Sequence, residues 1–237
     1  FGRSVSLSDD GMRIAIGAYT HSENTDLAGE TRIFEFNGGA WVQIGQDIEG
    51  DSYDYSGYSV ELSGDGTRVV IGSYFNHKMR VYDFDGTSWI QVGSDIYEAS
   101  STFDLLGYEV DISQDGNRIA AVAPGFSNPD GTSGYGIVFE FDGTDWVQLG
   151  QRIDFTTFNS GANGIVSLSA DGNRVALTSP GLGPTRIFEF MNGIWELLGA
   201  PISGDNTLGF DATSSISLST DGNRITIGEL NFGENVQ

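Results

Sequence analysis

Five segments of the chain alternate between polar and apolar residues, and each is followed by an Asp-Gly pair. This period of two predicts a strand with one buried face. A second β-rich segment, such as Arg13–Gly17, follows each pair. Because glycine adopts positive φ at little cost, Asp-Gly between alternating segments predicts a hairpin. The five first-strand segments are 4–8, 59–63, 109–113, 165–169 and 215–219.

Two further strands complete each of the first four copies. The third segment has an aromatic-acid-aromatic centre, such as Phe34-Glu35-Phe36, and a tryptophan marks the fourth. The tryptophans are Trp41, Trp89, Trp146 and Trp195. No helical periodicity of useful length is present. Each copy is therefore predicted to be a four-stranded antiparallel sheet, which must stack on its neighbours to bury both faces.

The repeat length favours a β-propeller. The Asp-Gly pairs recur at spacings of 55, 50, 56 and 50 residues, a range typical of propeller blades. A linear stack of sheets or a β-solenoid is the alternative. We expect one all-β propeller domain over 1–237 with at least five blades, either alone or as a fragment of a larger ring. Its four complete repeats and a half are about 1–56, 57–106, 107–162, 163–213 and 214–237.

The repeat resembles a known family. The stretches FGRSVSLSDDGMRIAIGA at 1–18 and AGETRIFEF at 28–36 are similar to the FG-GAP repeat, the blade unit of integrin-α-like propellers. The resemblance implies an extracellular or cell-surface protein, with roles such as adhesion, that binds other proteins or glycans. Integrin blades also carry calcium loops of the Asp-x-Asp-x-Asp-Gly kind. No stretch of this chain matches that loop, so we expect no cofactor, with calcium left open.

Charge and composition exclude several classes of partner. The net charge of -22 argues against electrostatic binding of nucleic acid or an anionic membrane. No stretch approaches the 18 apolar residues of a membrane-spanning helix, so no direct membrane insertion is expected. Without cysteine there is no thiol nucleophile or thiolate zinc site. Protein chains, in a larger assembly, and glycans are the expected partners.

Strand parity sorts the connections into two faces. The Asp-Gly hairpins and the turns between third and fourth strands share one face, which we call the turn face. Longer connections of uneven length lie on the opposite side, which we call the long-loop face. Because binding residues concentrate on variable loops held by a rigid scaffold, the long-loop face is the candidate binding surface.

The candidate binding residues are aromatic and polar side chains of these long loops. Aromatic rings combined with carboxylates suit a sugar platform, a calcium site or a protein patch, although most such residues in proteins simply pack locally or stay solvated. His21 and His77 lie in adjacent copies, but two loop histidines are weak evidence for metal, and no metal site is predicted. The candidates are Tyr19, His21, Asp51, Tyr53, Tyr55, Tyr74, His77, Tyr97, Phe103, Phe126, Phe158 and Phe210.

The Asp-Gly-x-Arg motif is predicted to be structural. A residue that occurs once per blade is more readily explained by folding than by catalysis, and each guanidinium is expected to reach a turn carboxylate or carbonyl, bridging blades. The tryptophans are expected to pack in the core or at blade edges. The motif residues are Asp10, Arg13, Asp65, Arg68, Asp115, Arg118, Asp171, Arg174, Asp221 and Arg224.

These patterns lead to a prediction of function. No nucleophile elbow is present, and sequence alone singles out no pair of catalytic carboxylates. We therefore predict a non-enzymatic extracellular scaffold that contacts other proteins through its long-loop face and blade edges. A carbohydrate-binding propeller is the alternative, and a glycan-processing enzyme is the third.

Overall fold

Five antiparallel sheets follow one another along the chain. A computed structural model of the protein describes residues 1–21, 26–97, 104–125, 133–155, 164–178, 183–203 and 212–230. Within these ranges the only helical segment is a short 3-10 turn, Tyr74–Asn76. No helix in the described ranges is long and apolar enough to span a membrane.

The strands are numbered in chain order. Sheet 1 contains β1 (Val5–Leu7), β2 (Arg13–Ala18), β3 (Glu30–Phe36), β4 (Trp41–Gln43) and β5 (Ile48–Glu49). Sheet 2 contains β6 (Ser59–Leu62), β7 (Arg68–Ser73), β8 (Lys78–Phe84), β9 (Trp89–Gln91) and β10 (Ile96–Tyr97). Sheet 3 contains β11 (Glu109–Ile112), β12 (Arg118–Ala123), β13 (Ser133–Phe141), β14 (Trp146–Gln148) and β15 (Ile153–Phe155). Sheet 4 contains β16 (Ile165–Leu168), β17 (Arg174–Thr178), β18 (Thr185–Met191) and β19 (Ile194–Leu197), and sheet 5 contains β20 (Ala212–Leu218) and β21 (Ile225–Leu230).

The four-stranded meander predicted for each copy is present in sheets 1 to 4. In sheet 1, Val5 lies opposite Ile16, Ile14 opposite Phe34, and Phe36 opposite Trp41. A short extra strand, β5, β10 or β15, pairs with the beginning of the third strand in sheets 1 to 3. The alternation pattern did not predict these strands, because two or three residues are too few to show a period.

The sheets fan out from a common axis. The first strands of consecutive sheets contact one another: β1 with β6, β6 with β11, β11 with β16, and β16 with β20. Val60 and Leu62 of β6 are buried in one apolar cluster with Ala15 and Ile33 of sheet 1. The chain is therefore an all-β propeller of at least five blades, as the repeat predicts. We call the space that the first strands line the channel.

Serine hydroxyls and backbone groups join neighbouring blades along this axis. Ser4 Oγ and Ser6 Oγ accept hydrogen bonds from Val60 N and Leu62 N, at 3.1 and 2.9 Å. At the turn face, a row of backbone hydrogen bonds of 2.8–3.0 Å crosses all four blade boundaries. It runs from Asp9 N to Gly64 O, Gly64 N to Gln114 O, Gln114 N to Ala170 O and Ala170 N to Thr220 O. These hydrogen bonds therefore hold neighbouring blades together where the first strands end, at the turn face.

The tryptophans join blades near their outer edge. Trp89, Trp146 and Trp195 are buried, and each indole Nε1 donates to a carbonyl of the preceding blade, at 3.0, 3.1 and 2.8 Å. Trp41 of sheet 1, whose indole donates to no carbonyl among the described residues, is 45% exposed. Burial of the indole therefore depends on the neighbouring blade.

The Asp-Gly turns are closed by serine and the aspartate itself. Asp10 Oδ1 accepts hydrogen bonds from Ser8 Oγ and Met12 N at 2.7 and 2.9 Å, which lowers the pKa of Asp10. Gly11 has a φ of 67°, the left-handed conformation that glycine tolerates best. The same serine-aspartate hydrogen bond recurs in the other four copies.

In the first four copies, the arginine that follows the turn reaches the next blade. Arg118 Nη1 donates to Gly172 O and Asn173 Oδ1, at 3.2 and 2.6 Å, while its Nε and Nη2 contact Glu140 Oε1. Arg13 and Arg68 make the equivalent bonds to Gly66 O and Gly116 O. The carboxylate that pairs with each arginine comes from the aromatic-acid-aromatic strand rather than from the turn.

Removal of one such arginine is expected to destabilise the fold. Arg118→Ala leaves Glu140 and the Gly172 carbonyl without their donor, so the free energy of unfolding should fall by about 2 kcal/mol in chemical denaturation. Arg224→Ala is the matched control, because the Arg224 guanidinium has no hydrogen-bond partner among the described residues. Equal stability of the Arg118→Ala variant and the wild type would show that the inter-blade bridge contributes nothing.

Candidate functional site

Three of the predicted long-loop residues come together. Tyr19, Tyr55 and Tyr74 lie in one group of rings, with centroids 6.1 Å apart for Tyr19 and Tyr55 and 5.7 Å apart for Tyr55 and Tyr74. Phe75, half exposed, contacts Tyr55 at 5.2 Å. These four rings begin a continuous aromatic surface on the long-loop face.

Two further tyrosines connect this surface to the channel. Tyr58 and Tyr108 each stand immediately before a first strand, and their rings lie 4.4 and 5.7 Å from Tyr74. Their hydroxyl groups are 2.9 Å apart, and burial together with this hydrogen bond raises the pKa of Tyr108. We call the set Tyr19, Tyr55, Tyr58, Tyr74, Phe75 and Tyr108 the tyrosine patch, and the end of the channel beside it the channel mouth.

A cation lies on the patch. The guanidinium of Arg3 is 4.3 Å from the ring centroid of Tyr58, a cation–π distance. Arg3 occupies in the first copy the position that Tyr58 and Tyr108 occupy in the next two. The side chain is exposed, so its remaining donors can reach a ligand at the mouth.

Carboxyl groups follow the tyrosines along the first strands. In β6 and β11, Glu61, Glu109 and Asp111 replace serines found at equivalent positions in the first copy. Glu61 accepts a hydrogen bond from Ser6 Oγ at 2.7 Å. Asp111 accepts from Ile112 N and Leu168 N at 2.7 and 2.6 Å, and so takes over the inter-blade bond that a serine makes elsewhere. All three side chains are half-buried.

The environment of these groups favours their protonated forms. Burial raises the pKa of Glu109 to about 7, although Arg3 opposes the shift and Asp111 adds to it. Burial and the neighbouring charge of Asp111 raise the pKa of Glu61. Burial also raises the pKa of Asp111, against the hydrogen bonds from Leu168 and Ile112. A group with a pKa close to 7 can both accept and donate a proton at neutral pH.

Backbone strain also concentrates at this face. Among the described residues, six non-glycine residues have positive φ, and five of them lie on the long-loop face. Tyr55, with a φ of 53°, belongs to the tyrosine patch. Such conformations cost free energy and are enriched at binding and catalytic sites.

The remaining described candidates are not members of the tyrosine patch. Asp51 joins a network in which Lys78 Nζ contacts Asp51 and Asp54 at 2.9 Å each, and Arg80 contacts Asp51 and Asp95. Hydrogen bonds from these cations lower the pKa of Asp51. Because Lys78 and Asp54 are buried, this network serves to hold the loop of blade 1 on blade 2.

The histidines do not share a site. His21 Nδ1 lies 3.1 Å from Glu30 Oε2, whereas His77 Nδ1 accepts a hydrogen bond from Leu105 N at 2.9 Å. Tyr53 hydroxyl contacts Asp26, and Tyr97 contacts Asp95. In the part of the chain that the structure describes, no three histidine, aspartate or glutamate side chains form a metal-binding group. Phe103, Phe126, Phe158 and Phe210 lie outside the described residues.

The raised pKa values predict that stability falls with rising pH. The folded state retains the Glu109 proton up to a pH of about 7, whereas the unfolded chain releases it near the ordinary value of 4.5. Unfolding therefore releases protons in this window, and the free energy of unfolding should fall by about 2 kcal/mol from pH 5 to 8.5.

The Glu109→Gln variant isolates this contribution. It should show a smaller fall over the same range and be more stable than the wild type at pH 8.5, in denaturant titrations at both pH values. Glu61 and Asp111 also have raised pKa values and are present in both proteins, so the difference between the two proteins is the informative quantity. If the free energies of unfolding of the wild type and the Glu109→Gln variant fall in parallel as pH rises, Glu109 does not retain its proton in the folded state.

Solved structures that resemble this fold are propellers of diverse proteins. A putative 6-phosphogluconolactonase from Bacteroides uniformis matches 98% of this chain and 65% of its own, with 15% identity and a TM-score of 0.63. The Pseudomonas aeruginosa periplasmic gluconolactonase PpgL matches 95% of this chain and 64% of its own, with 16% identity and a TM-score of 0.64. The β-propeller domain of Cps50 (Swd1) from Myceliophteria thermophila matches 96% and 61%, with 11% identity and a TM-score of 0.56.

These similarities support the propeller fold and no finer class. No family model and no curated protein sequence matches the chain, so membership of the FG-GAP family is not confirmed. The chain spans under two thirds of the length of the three solved proteins.

The prediction of a non-enzymatic extracellular scaffold was wrong. Two propellers that match nearly the whole chain are named as lactonases, one a putative 6-phosphogluconolactonase and the other a gluconolactonase, and nothing in the comparisons supports a scaffold role. The prediction failed because it weighed loop residues and overlooked the carboxyl groups of the first strands and Arg3, which lies just before β1.

Proposed function

We propose that this propeller belongs to a hydrolase that opens the ring of a lactone at the channel mouth. The observation that carries the proposal is that Glu109, which follows Tyr108 of the tyrosine patch, interacts electrostatically with Arg3, whose guanidinium lies over the patch. The putative 6-phosphogluconolactonase and the gluconolactonase among the similar folds add support, at the level of fold alone.

Glu109 is the proposed acid–base residue. In its ionised form it takes a proton from the water molecule that attacks the lactone carbonyl carbon. It then gives this proton to the ring oxygen as the bond between that oxygen and the carbonyl carbon breaks. The product is a hydroxy acid, which loses its own proton to solvent. A pKa near the working pH suits both transfers.

Arg3 and the tyrosine patch supply the remaining functions. The Arg3 guanidinium is the only cation at the mouth in the described residues, and it can stabilise the negative oxygen of the tetrahedral intermediate. The patch offers aromatic faces on which the C–H side of a sugar-like ring can stack. Asp111 holds two backbone N–H groups and therefore serves in positioning β11 rather than in contacting substrate.

Release of acid by the purified protein tests the proposal. With sugar δ-lactones as substrates and a pH indicator as readout, hydrolysis should exceed the spontaneous rate in proportion to protein concentration. The rate constant kcat/KM should fall below a pH of about 7, where Glu109 becomes protonated. Absence of any rate above the spontaneous one, for a folded protein across a panel of lactones and simple esters, would refute it.

Three finer expectations from the sequence stay proposals. The Phe1-Gly2 and Gly17-Ala18 pairs support FG-GAP-type blades. A location outside the cytoplasm is supported by the periplasmic gluconolactonase among the similar folds, and cell fractionation with an antibody tests it. Contacts with other protein chains are supported by a similar fold, KlAtg21, whose solved structure is a complex with the coiled coil of AgAtg16.

A further inference from the structure

The positive charges of the chain are nearly all committed elsewhere. All 11 lysine and arginine residues fall within the described ranges. Arg13, Arg68, Arg118 and Arg174 pair with third-strand carboxylates at the turn face. Arg32, Lys78 and Arg80 are paired with carboxylates of the loops, and Arg152 is paired with Asp154 of β15. Arg186 donates to Asp154 O, and Arg224 lies on the turn face, which leaves Arg3 as the one cation at the channel mouth.

Arg3 is a poor phosphate site on its own. Its guanidinium already lies over the Tyr58 ring, and it is close enough to Glu109 to oppose the rise in that pKa. Proteins that bind phosphate use several charge-assisted donors, whereas here the nearest ionisable groups are Glu61, Glu109 and Asp111. Each of these carries or can acquire negative charge, so a dianion at the mouth meets repulsion.

The tyrosine patch, in contrast, suits an uncharged ring. Its six aromatic side chains form one connected set of ring contacts and carry five hydroxyl groups. Phenol hydroxyls both donate and accept, as do serine and protonated glutamate, so they match sugar hydroxyls without requiring charge. The ring faces add stacking area that a phosphate cannot use.

We propose that the channel mouth selects an uncharged, polyhydroxylated ring and excludes its phosphorylated counterpart. The inference rests on the proposed function for the identity of the site, and it assigns the substrate class: unphosphorylated sugar lactones. The tyrosine patch provides the affinity, and the shortage of free cations beside the carboxyl groups provides the exclusion. In this respect the site differs from one built for a 6-phosphogluconolactone.

Calorimetry with a matched pair of unreactive ligands tests the inference. Gluconolactam, an uncharged analogue of a sugar lactone, should bind, and gluconolactam 6-phosphate should bind at least about 30-fold more weakly at low salt. Added salt should narrow this ratio, because it screens the repulsion. Equal or tighter binding of the phosphate would overturn the inference, as would failure of both ligands to bind.

A pair of tyrosine variants locates the binding. Tyr74→Ala should weaken gluconolactam binding about tenfold or more, since Tyr74 touches four other rings of the patch. Tyr97→Ala is the matched control, because Tyr97 is an exposed tyrosine of the same face outside the patch. Equal affinity of the two variants would also overturn the inference.

The outcomes separate this inference from the proposed function. Selective binding of gluconolactam without turnover of any lactone would refute the proposed hydrolase activity and support the proposed selectivity for unphosphorylated rings. Turnover of phosphorylated and unphosphorylated lactones at equal kcat/KM would support the hydrolase and remove the selectivity.

Discussion

Glu109→Gln should lower kcat for lactone hydrolysis by about 10²- to 10⁴-fold, the usual contribution of a general acid–base residue. Glutamine keeps the size and hydrogen-bonding capacity of the side chain, but it cannot exchange a proton with water or the ring oxygen. KM should change little, because the tyrosine patch stays intact. The measurement is steady-state acid release at pH 7.5, after subtraction of the spontaneous rate.

Two controls make this result specific. Glu196→Gln changes an exposed carboxylate on β19, at the outer edge of sheet 4, and should leave kcat unchanged. Melting curves show whether the Glu109→Gln variant remains folded. A folded Glu109→Gln protein with wild-type kcat would remove Glu109 from the mechanism.

The second large effect concerns the blade boundary. Trp146→Ala should lower the free energy of unfolding by about 3–5 kcal/mol, the usual cost of deleting a buried tryptophan. Trp146 is 8% exposed, packs on Phe141 with a 5.2 Å centroid distance, and donates to Val92 O of the preceding blade. Denaturant titration of the purified variant measures the loss.

The repeat provides its own controls for this prediction. Trp146→Phe keeps an aromatic ring but loses the indole hydrogen bond. This loss should lower the free energy of unfolding by about 1 kcal/mol, in addition to the effect of the smaller ring. Trp41→Ala alters the equivalent residue of sheet 1, which is 45% exposed, and should cost under about 1 kcal/mol. If Trp41→Ala and Trp146→Ala destabilise equally, the tryptophan does not stabilise the chain through the neighbouring blade.

Much of the fold could be predicted from the sequence because it is repeated. Alternation around each Asp-Gly pair defines two strands, and the Phe34-Glu35-Phe36 and Trp41 patterns define two more. Because the same pattern occurs in five copies, the strand assignment of each blade is supported by the others. The short strands β5, β10 and β15 could not be predicted, because two or three residues are too few to establish a period.

The candidate site was predicted only in part. Tyr19, Tyr55 and Tyr74 are among the loop aromatics that the sequence singles out, but Tyr58 and Tyr108 are not among those candidates. A signal for the rest was present in the repeat register. Where the first copy has Ser6, the second and third have Glu61 and Asp111, and a charged residue at a position that faces the next blade requires an explanation.

The partner of each turn arginine could not be read from spacing either. Asp10 and Arg13 are three residues apart, which made the turn aspartate the obvious carboxylate. The pairing of β2 with β3 instead brings Glu35 opposite Arg13. The Asp10 carboxylate accepts hydrogen bonds from Ser8 and from the turn backbone. Pairing across strands thus overrides proximity in sequence.

The most direct test of the account is a crystal structure of the protein with gluconolactam. The account predicts that the ligand lies at the channel mouth against the tyrosine patch, with its ring nitrogen within hydrogen-bonding distance of the Glu109 carboxyl and its carbonyl oxygen facing Arg3. A ligand bound on the turn face, or in the loops around Lys78 and Asp51, would contradict it.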